Sequence, residues 1–236
     1  MTTLPVEDAV VAEAGDSAGH DAHDDGHHTS LGVSNMKLAM WLFLGSECLL
    51  FGALISTYLL SKARFLTEIL AGNPEVTSTM PAELIEEFVA EGSVEPLFDI
   101  PFTSASSFIL LMSSVTMVFA HQAISKNDQK LTRLWLATTA ALGSVFIAGQ
   151  VYEFTTFYNE GLRFDGNLLG SALFTLTGFH GVHVTVGIIM LLSLLLLAVR
   201  GKLNADRAET VELVGLYWHF VDVVWVLIFT IVYLIP

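Results

Sequence analysis

Five long apolar stretches, each carrying an acid or a histidine, constrain this chain more than any other feature. The last two read LLGSALFTLTGFHGVHVTVGIIMLLSLLLLAV from Leu168 and VELVGLYWHFVDVVWVLIFTIVYLIP from Val211. A charge at mid-bilayer depth costs about 2.5–3.5 kcal/mol on insertion scales. Such groups must be paired, hydrated or shielded, so the chemistry of this chain lies inside the membrane.

Composition agrees. Of 236 residues, 53% are hydrophobic and only 14% charged, where a soluble domain is nearer one quarter charged. The expected fold class is all-α: a polytopic membrane protein with a bundle of five transmembrane helices. A β-barrel would show short alternating segments instead. Cys48 is the single cysteine, which excludes an internal disulfide and a cysteine-based metal site. The net charge of -14 says little about partners, because seven of the 24 acids precede Ser30 and eight lie between Lys62 and Pro101. The acidity belongs to two aqueous segments, and nothing suggests nucleic acid. The acidic N-terminus lacks a basic region followed by an apolar one, so no secretory signal is read. The first span is expected to direct insertion.

Residues 1–34 are rich in Ala, Asp, Gly and His and are expected to form a disordered acidic, His-rich tail. Its segment HDAHDDGHH, from His20, reads as a solvated pH-sensitive tail or a loose chelator of divalent metal. The membrane domain covers 35–236, with spans at about 37–61, 102–124, 131–153, 168–199 and 212–235. Each exceeds the roughly 20 residues needed to cross hydrocarbon. The fourth would reach about 48 Å at 1.5 Å per residue, so it must tilt or project into water.

Lys37, Lys126, Lys130, Arg133, Arg200, Lys202 and Arg207 fall on one side of such a bundle, against Lys62, Arg64 and Arg163 on the other. This bias predicts N-in/C-out. The acidic outer loop 62–101 contains PAELIEEFVAEG from Pro81, a short surface helix opened by Pro and closed by Gly. Two small-residue seams, Gly45/Gly52/Ser56 and Ala137/Ala141/Ser144/Ala148, are expected to let helices approach closely. Trp41, Trp135, Tyr152, Tyr158 and Tyr233 are read as interfacial anchors, and Trp218 and Trp225 as facing lipid or a partner.

Several polar residues are candidates for function. Glu47 falls near the bilayer middle, either as a proton-handling or lipid-headgroup site or as a neutral acid bonded to a neighbouring helix. Glu212, His219 and Asp222 share one helix face, and the last two, three residues apart, can touch. They can relay a proton or form a satisfied buried pair. His180 and His183 have the same spacing; with His121 and His219 they could in principle bind metal or haem. Without a Glu-x-x-His pattern that reading is weak. Gln150 and Glu153 read as an interfacial polar cluster.

Five motifs in register carry a resemblance. SECLLFG from Ser46, FTSASSFILLMSSVTMVFAH from Phe102, GQVYEF from Gly149, GFHGVHVTVG from Gly178 and YWHFVDVVWVLIF from Tyr217 resemble segments of subunit III of haem-copper respiratory oxidases. The resemblance spans about 35–236 and looks like the five-helix bacterial form, not the seven-helix mitochondrial one. It departs at Phe154, where the family commonly has Tyr, and in the long loop at 62–101.

The resemblance implies a non-redox accessory subunit of a proton-pumping terminal oxidase of the bacterial inner membrane. Cytochrome c is the expected donor. A quinol oxidase subunit is the first alternative, followed by the related accessory protein of nitric oxide reductase. Glu47 matches the family's lipid-cleft, proton-linked carboxylate. His121, Gln150, Glu153, His180, His183, Glu212, His219 and Asp222 match its buried polar positions. No catalytic or metal-ligating residue is implied, and haem and copper are expected in partner subunits. Subunit I would be the direct partner, with subunit II, possible small subunits and membrane phospholipid beside it. Two readings from other classes are a haem-binding electron carrier, which would show a Soret band, and a proton-coupled transporter. The transporter would need broken helices, yet no Pro interrupts a span interior.

Overall fold

A computed structural model describes residues 34–74, 82–91, 99–159, 164 and 168–235. The His-rich segment from His20 and Arg163 lie outside the described residues. Five helices are long and apolar enough to cross a membrane: α1 (Asn35–Leu70), α3 (Ile100–Ser125), α4 (Gln129–Asn159), α5 (Leu168–Val199) and α6 (Ala208–Phe229). A single π-helical turn, Thr230–Leu234, extends α6. The short α2 (Ala82–Glu91) falls within the segment that opens with Pro81.

α3, α4, α5 and α6 close a ring: α3 packs on α4, α4 on α5, α5 on α6, and α6 returns to α3. Trp218 of α6 lies at its centre with 0% of its surface exposed, and Trp225 with 1%. Both were expected to face lipid or a partner subunit. They turn inward because each indole N–H has a partner, Ser113 Oγ at 2.9 Å for Trp218 and Ser107 Oγ at 2.8 Å for Trp225. Two glycines make room for the larger of these contacts. A Cβ at Gly143 would stand 2.6 Å from the Trp218 ring, and one at Gly187 would stand 2.7 Å from it. The indole therefore fills a slot between α4 and α5 that only glycine leaves open.

The predicted small-residue seams lie elsewhere. Ala137, Ala141, Ser144 and Ala148 are exposed, while the buried stripe of α4 is Leu136, Thr139, Ala140, Gly143, Phe146, Gln150 and Glu153. Gly45 and Gly52 have nothing within 4 Å of where a Cβ would sit. Large side chains, not a glycine seam, hold α1 to the ring. In its most apolar stretch 6% of residues are buried, against 50% for the last helix. Phe51, Tyr58, Phe65 and Ile69 form its inward stripe, and Phe43 stacks on Tyr217 of α6.

α1 runs parallel to α6 and is pinned at both ends. Lys37 Nζ lies 2.9 Å from Glu212, and Lys62 Nζ donates to the Ile235 carbonyl at 2.7 Å. The helix continues to Leu70, past the expected break near Lys62, because Phe65 and Ile69 still have apolar surface to bury. Phe65 meets Phe88 of α2 at 6.3 Å, and Arg64 pairs with Glu68 one turn on. Trp41, Tyr152 and Tyr158 are exposed as anchors should be, but Tyr233 is buried within the ring.

Turns between the helices are closed by local hydrogen bonds. Gly201, at φ 68°, ends α5 in the left-handed conformation that glycine adopts without strain; its N–H donates to Ala198 and that of Lys202 to Leu197. Overpacking a filled core costs about 1–3 kcal/mol. Gly187→Ala is accordingly expected to lower the unfolding midpoint in detergent, whereas Gly181→Ala, with open space around it, should not. Equal midpoints would show that Trp218 shifts freely.

Candidate functional site

Hydrocarbon supplies no hydrogen-bond partner, so each polar side chain in a span must find one on another helix. Three junctions do this. The first joins α1 to α5: His183 Nε2 lies 3.1 Å from Glu47 Oε2. His183 Nδ1 lies 2.7 Å from the Phe179 carbonyl, which can only accept, so Nδ1 carries a hydrogen. Nε2 is thereby aimed at the carboxyl group of α1. Tyr217 donates to the His183 carbonyl at 3.0 Å, and the Phe51 ring meets the imidazole edge-on at 5.1 Å.

The second junction joins α3 to α6. Sequence spacing suggested direct contact between His219 and Asp222; the structure inserts Ser114. Its hydroxyl donates to Asp222 Oδ2 and, its one hydrogen committed, accepts from His219 Nδ1 at 2.9 Å. Glu212, expected on the same face, instead pairs with Lys37. His121 lines a groove with Glu212, Gly215 and His219.

The third junction joins α3 to α4. Thr103 donates to Glu153 Oε1 at 2.6 Å and Gln150 Nε2 to Oε2 at 3.2 Å. Gln150 and Glu153, an interfacial cluster by position and buried polar positions by the family resemblance, are each 4% exposed. A Thr116–Thr139 hydrogen bond of 2.8 Å crosses the same helix pair.

His180 differs from the rest. It is fully buried, stacked on Trp225 at 4.9 Å, with Phe146 and Phe51 edge-on at 6.0 and 6.4 Å. Three rings enclose it, and neither ring nitrogen has a hydrogen-bond partner among the described residues. His183 is committed to Glu47 and Phe179, so the two imidazoles do not converge on one centre. Among the described residues, no three His, Cys, Asp or Glu side chains gather closely enough to hold a metal ion. The arrangement can share protons and lock helices together.

Sequence reasoning missed the hydroxyls. Thr103, Ser107 and Ser114 follow one another at four and seven residues along α3, with Ser113 beside the last, and they face α4 and α6. That helical spacing in the run from Phe102 was the available signal. The partner of Glu47, by contrast, lies 136 residues away and left no local trace.

Residues 16–235 match the family described as cytochrome c oxidase subunit III. The chain belongs to that family. It is a multi-pass membrane subunit of a respiratory oxidase, with other oxidase subunits as partners. The match begins before residue 35, where the motifs placed its start. Cytochrome c oxidase subunit 3 of Bacillus sp. (strain PS3) is 36% identical over 88% of this chain and 89% of its own length. The subunit of the same name from Thermostichus vulcanus is 35% identical over 84% and 86%. The probable quinol oxidase subunit 3 of Staphylococcus saprophyticus is 36% identical over 92% and 96%.

The Ser114 bridge of this family member yields a direct test. Ser114→Ala strands Asp222 and His219 together, which should cost about 1–3 kcal/mol and reduce recovery of the folded subunit in its purified complex. Ser114→Thr, which keeps a hydroxyl, should restore it. Undiminished recovery of the alanine variant would mean the bridge contributes nothing.

Proposed function

We propose that this chain is the accessory subunit III of a proton-pumping cytochrome c oxidase, free of redox centres itself and docked on subunit I beside subunit II. Family membership supports this reading, and the Glu47–His183 pair is the observation that carries its mechanistic part. His183 and His219 are spent on contacts between helices, which suits a chain whose partners hold the metals. Aerobic oxygen reduction then takes place in those partners, and this chain stabilises them, holds phospholipid and sustains proton uptake.

Orientation follows from helix direction. α1, α4 and α6 start, and α3 and α5 end, at the end that holds Lys37, Lys126, Lys130, Arg133, Arg200, Lys202 and Arg207. By the positive-inside rule that end faces the cytoplasm of a bacterial cell, with the C-terminus outside. Residues 1–34 form the cytoplasmic tail in this reading, and the acidic segment 62–101 is external.

Glu47 would act through its contact with His183. Removing one partner of such a hydrogen bond costs about 1–3 kcal/mol, much of it from the group left behind. Glu47→Ala is expected to leave the haem spectra of the intact complex unchanged. It should alter lipid retention, slow proton uptake, or hasten inactivation during turnover. Wild-type behaviour in all three would reduce Glu47 to a packing residue.

A second reading, subunit III of a quinol oxidase, is favoured by the staphylococcal relative, which matches at the same identity as the Bacillus one. Oxygen consumption by the purified complex separates the two. We expect turnover with reduced cytochrome c, and a CXXXC copper-binding segment in the neighbouring subunit II. Turnover with quinol alone would assign the chain to the other branch.

A further inference from the structure

The hairpin between α3 and α4 carries a groove that none of the three junctions uses. It is a cavity of about 350 Å³ lined by Phe119, Gln122, Lys126, Asp128, Leu131 and Trp135. The chain builds it rigidly. Asn127, at φ 56°, closes α3: its N–H donates to Ile124, and that of Asp128 to Ala123. Asp128 then caps α4, its carboxylate accepting from the Lys130 and Leu131 N–H groups at 3.1 Å each. Gln129 ties the turn to the Leu203 carbonyl at 2.7 Å, and Arg133 ties α4 to the Ala198 carbonyl at 3.0 Å.

This capping decides the electrostatics of the groove. Its one carboxylate, Asp128, sits on the first turn of α4, where the helix N–H groups offset its charge, and the Lys126 ammonium, Gln122 and Trp135 line the same groove. Lys130 and Arg133 add positive charge nearby. The chemistry called for is an anion of phosphate type that accepts several hydrogen bonds. The apolar side of the groove tells where that anion comes from. Phe119 and Trp135, 5.0 Å apart, form its wall. The same face of α3 continues toward the bundle middle as Val115 and Met112, 43% and 39% exposed. A soluble phosphate would leave that surface bare, whereas a lipid would place its headgroup at Lys126 and its acyl chains along the helix.

We propose that the α3–α4 hairpin is a binding site for the headgroup of an anionic phospholipid, held by Lys126, Gln122 and Trp135. The site is remote from Glu47 in sequence and position, and it does not depend on which electron donor the complex uses.

The test uses the intact oxidase complex in nanodiscs containing phosphatidylglycerol with a photoreactive diazirine in its headgroup. Labelled peptides are mapped by mass spectrometry. A basic residue at a membrane surface changes the occupancy of an anionic lipid by about fivefold. Labelling of the 119–135 segment should exceed that by the corresponding phosphatidylcholine probe by about that factor, and Lys126→Ala should lose about as much. Lys126→Arg should keep it. Equal labelling by the two lipids, or unchanged labelling in Lys126→Ala, would overturn the proposal. So would an equal loss in Lys130→Ala, which would indicate diffuse surface attraction. Competition by soluble glycerol phosphate at millimolar concentration would identify a free anion as the ligand and overturn the lipid assignment.

Discussion

The Ser114 hydroxyl joining His219 to Asp222 shows the constraint on which the rest of this structure depends. Inside a bilayer a polar side chain has no solvent to fall back on, and an acid or imidazole left alone there is costly. Several such groups therefore reach across to another helix, while His180 packs among aromatic rings instead. Glu47 meets His183, Glu153 meets Thr103, and Trp218 and Trp225 meet serines of α3. These contacts fix helix rotation, since turning any helix by one residue would put its acid or imidazole against lipid.

Apolar packing then follows the polar contacts. Once Ser113 fixes the indole N–H of Trp218, the ring must lie between α4 and α5. Gly143 and Gly187 are the residues that permit it. In lipid the hydrophobic effect does not drive helices together, so close fit and hydrogen bonds must. α1 shows the contrast. It has few close backbone approaches to the ring and is attached instead by one salt bridge, one lysine–carbonyl bond, the Glu47–His183 pair and aromatic side chains. A helix held by such separate ties suits a boundary where lipid or another subunit lies alongside.

His180 and His183 illustrate how one local motif can serve two purposes. They are three residues apart on α5, yet one is sealed among Trp225, Phe146 and Phe51 while the other faces α1 and its carboxylate. Spacing places both on the same side of a helix. It does not say what stands opposite each.

The membrane class, the five spans and the family could all be read from the chain, because apolar length and motif order are properties of sequence alone. So could the need to shield the acids and imidazoles within the spans, since their cost in lipid is independent of their neighbours. Their partners could not. Helical periodicity sets which residues share a face but carries no information about the helix that will meet it. Thus Glu47 waited on a histidine 136 residues away, and His219 on a serine from α3. For the same reason the predicted alanine seam of α4 lies outside, and two tryptophans expected to face lipid or a partner subunit fill the centre. Only the packed bundle brings glycine slots and serine hydroxyls together around an indole.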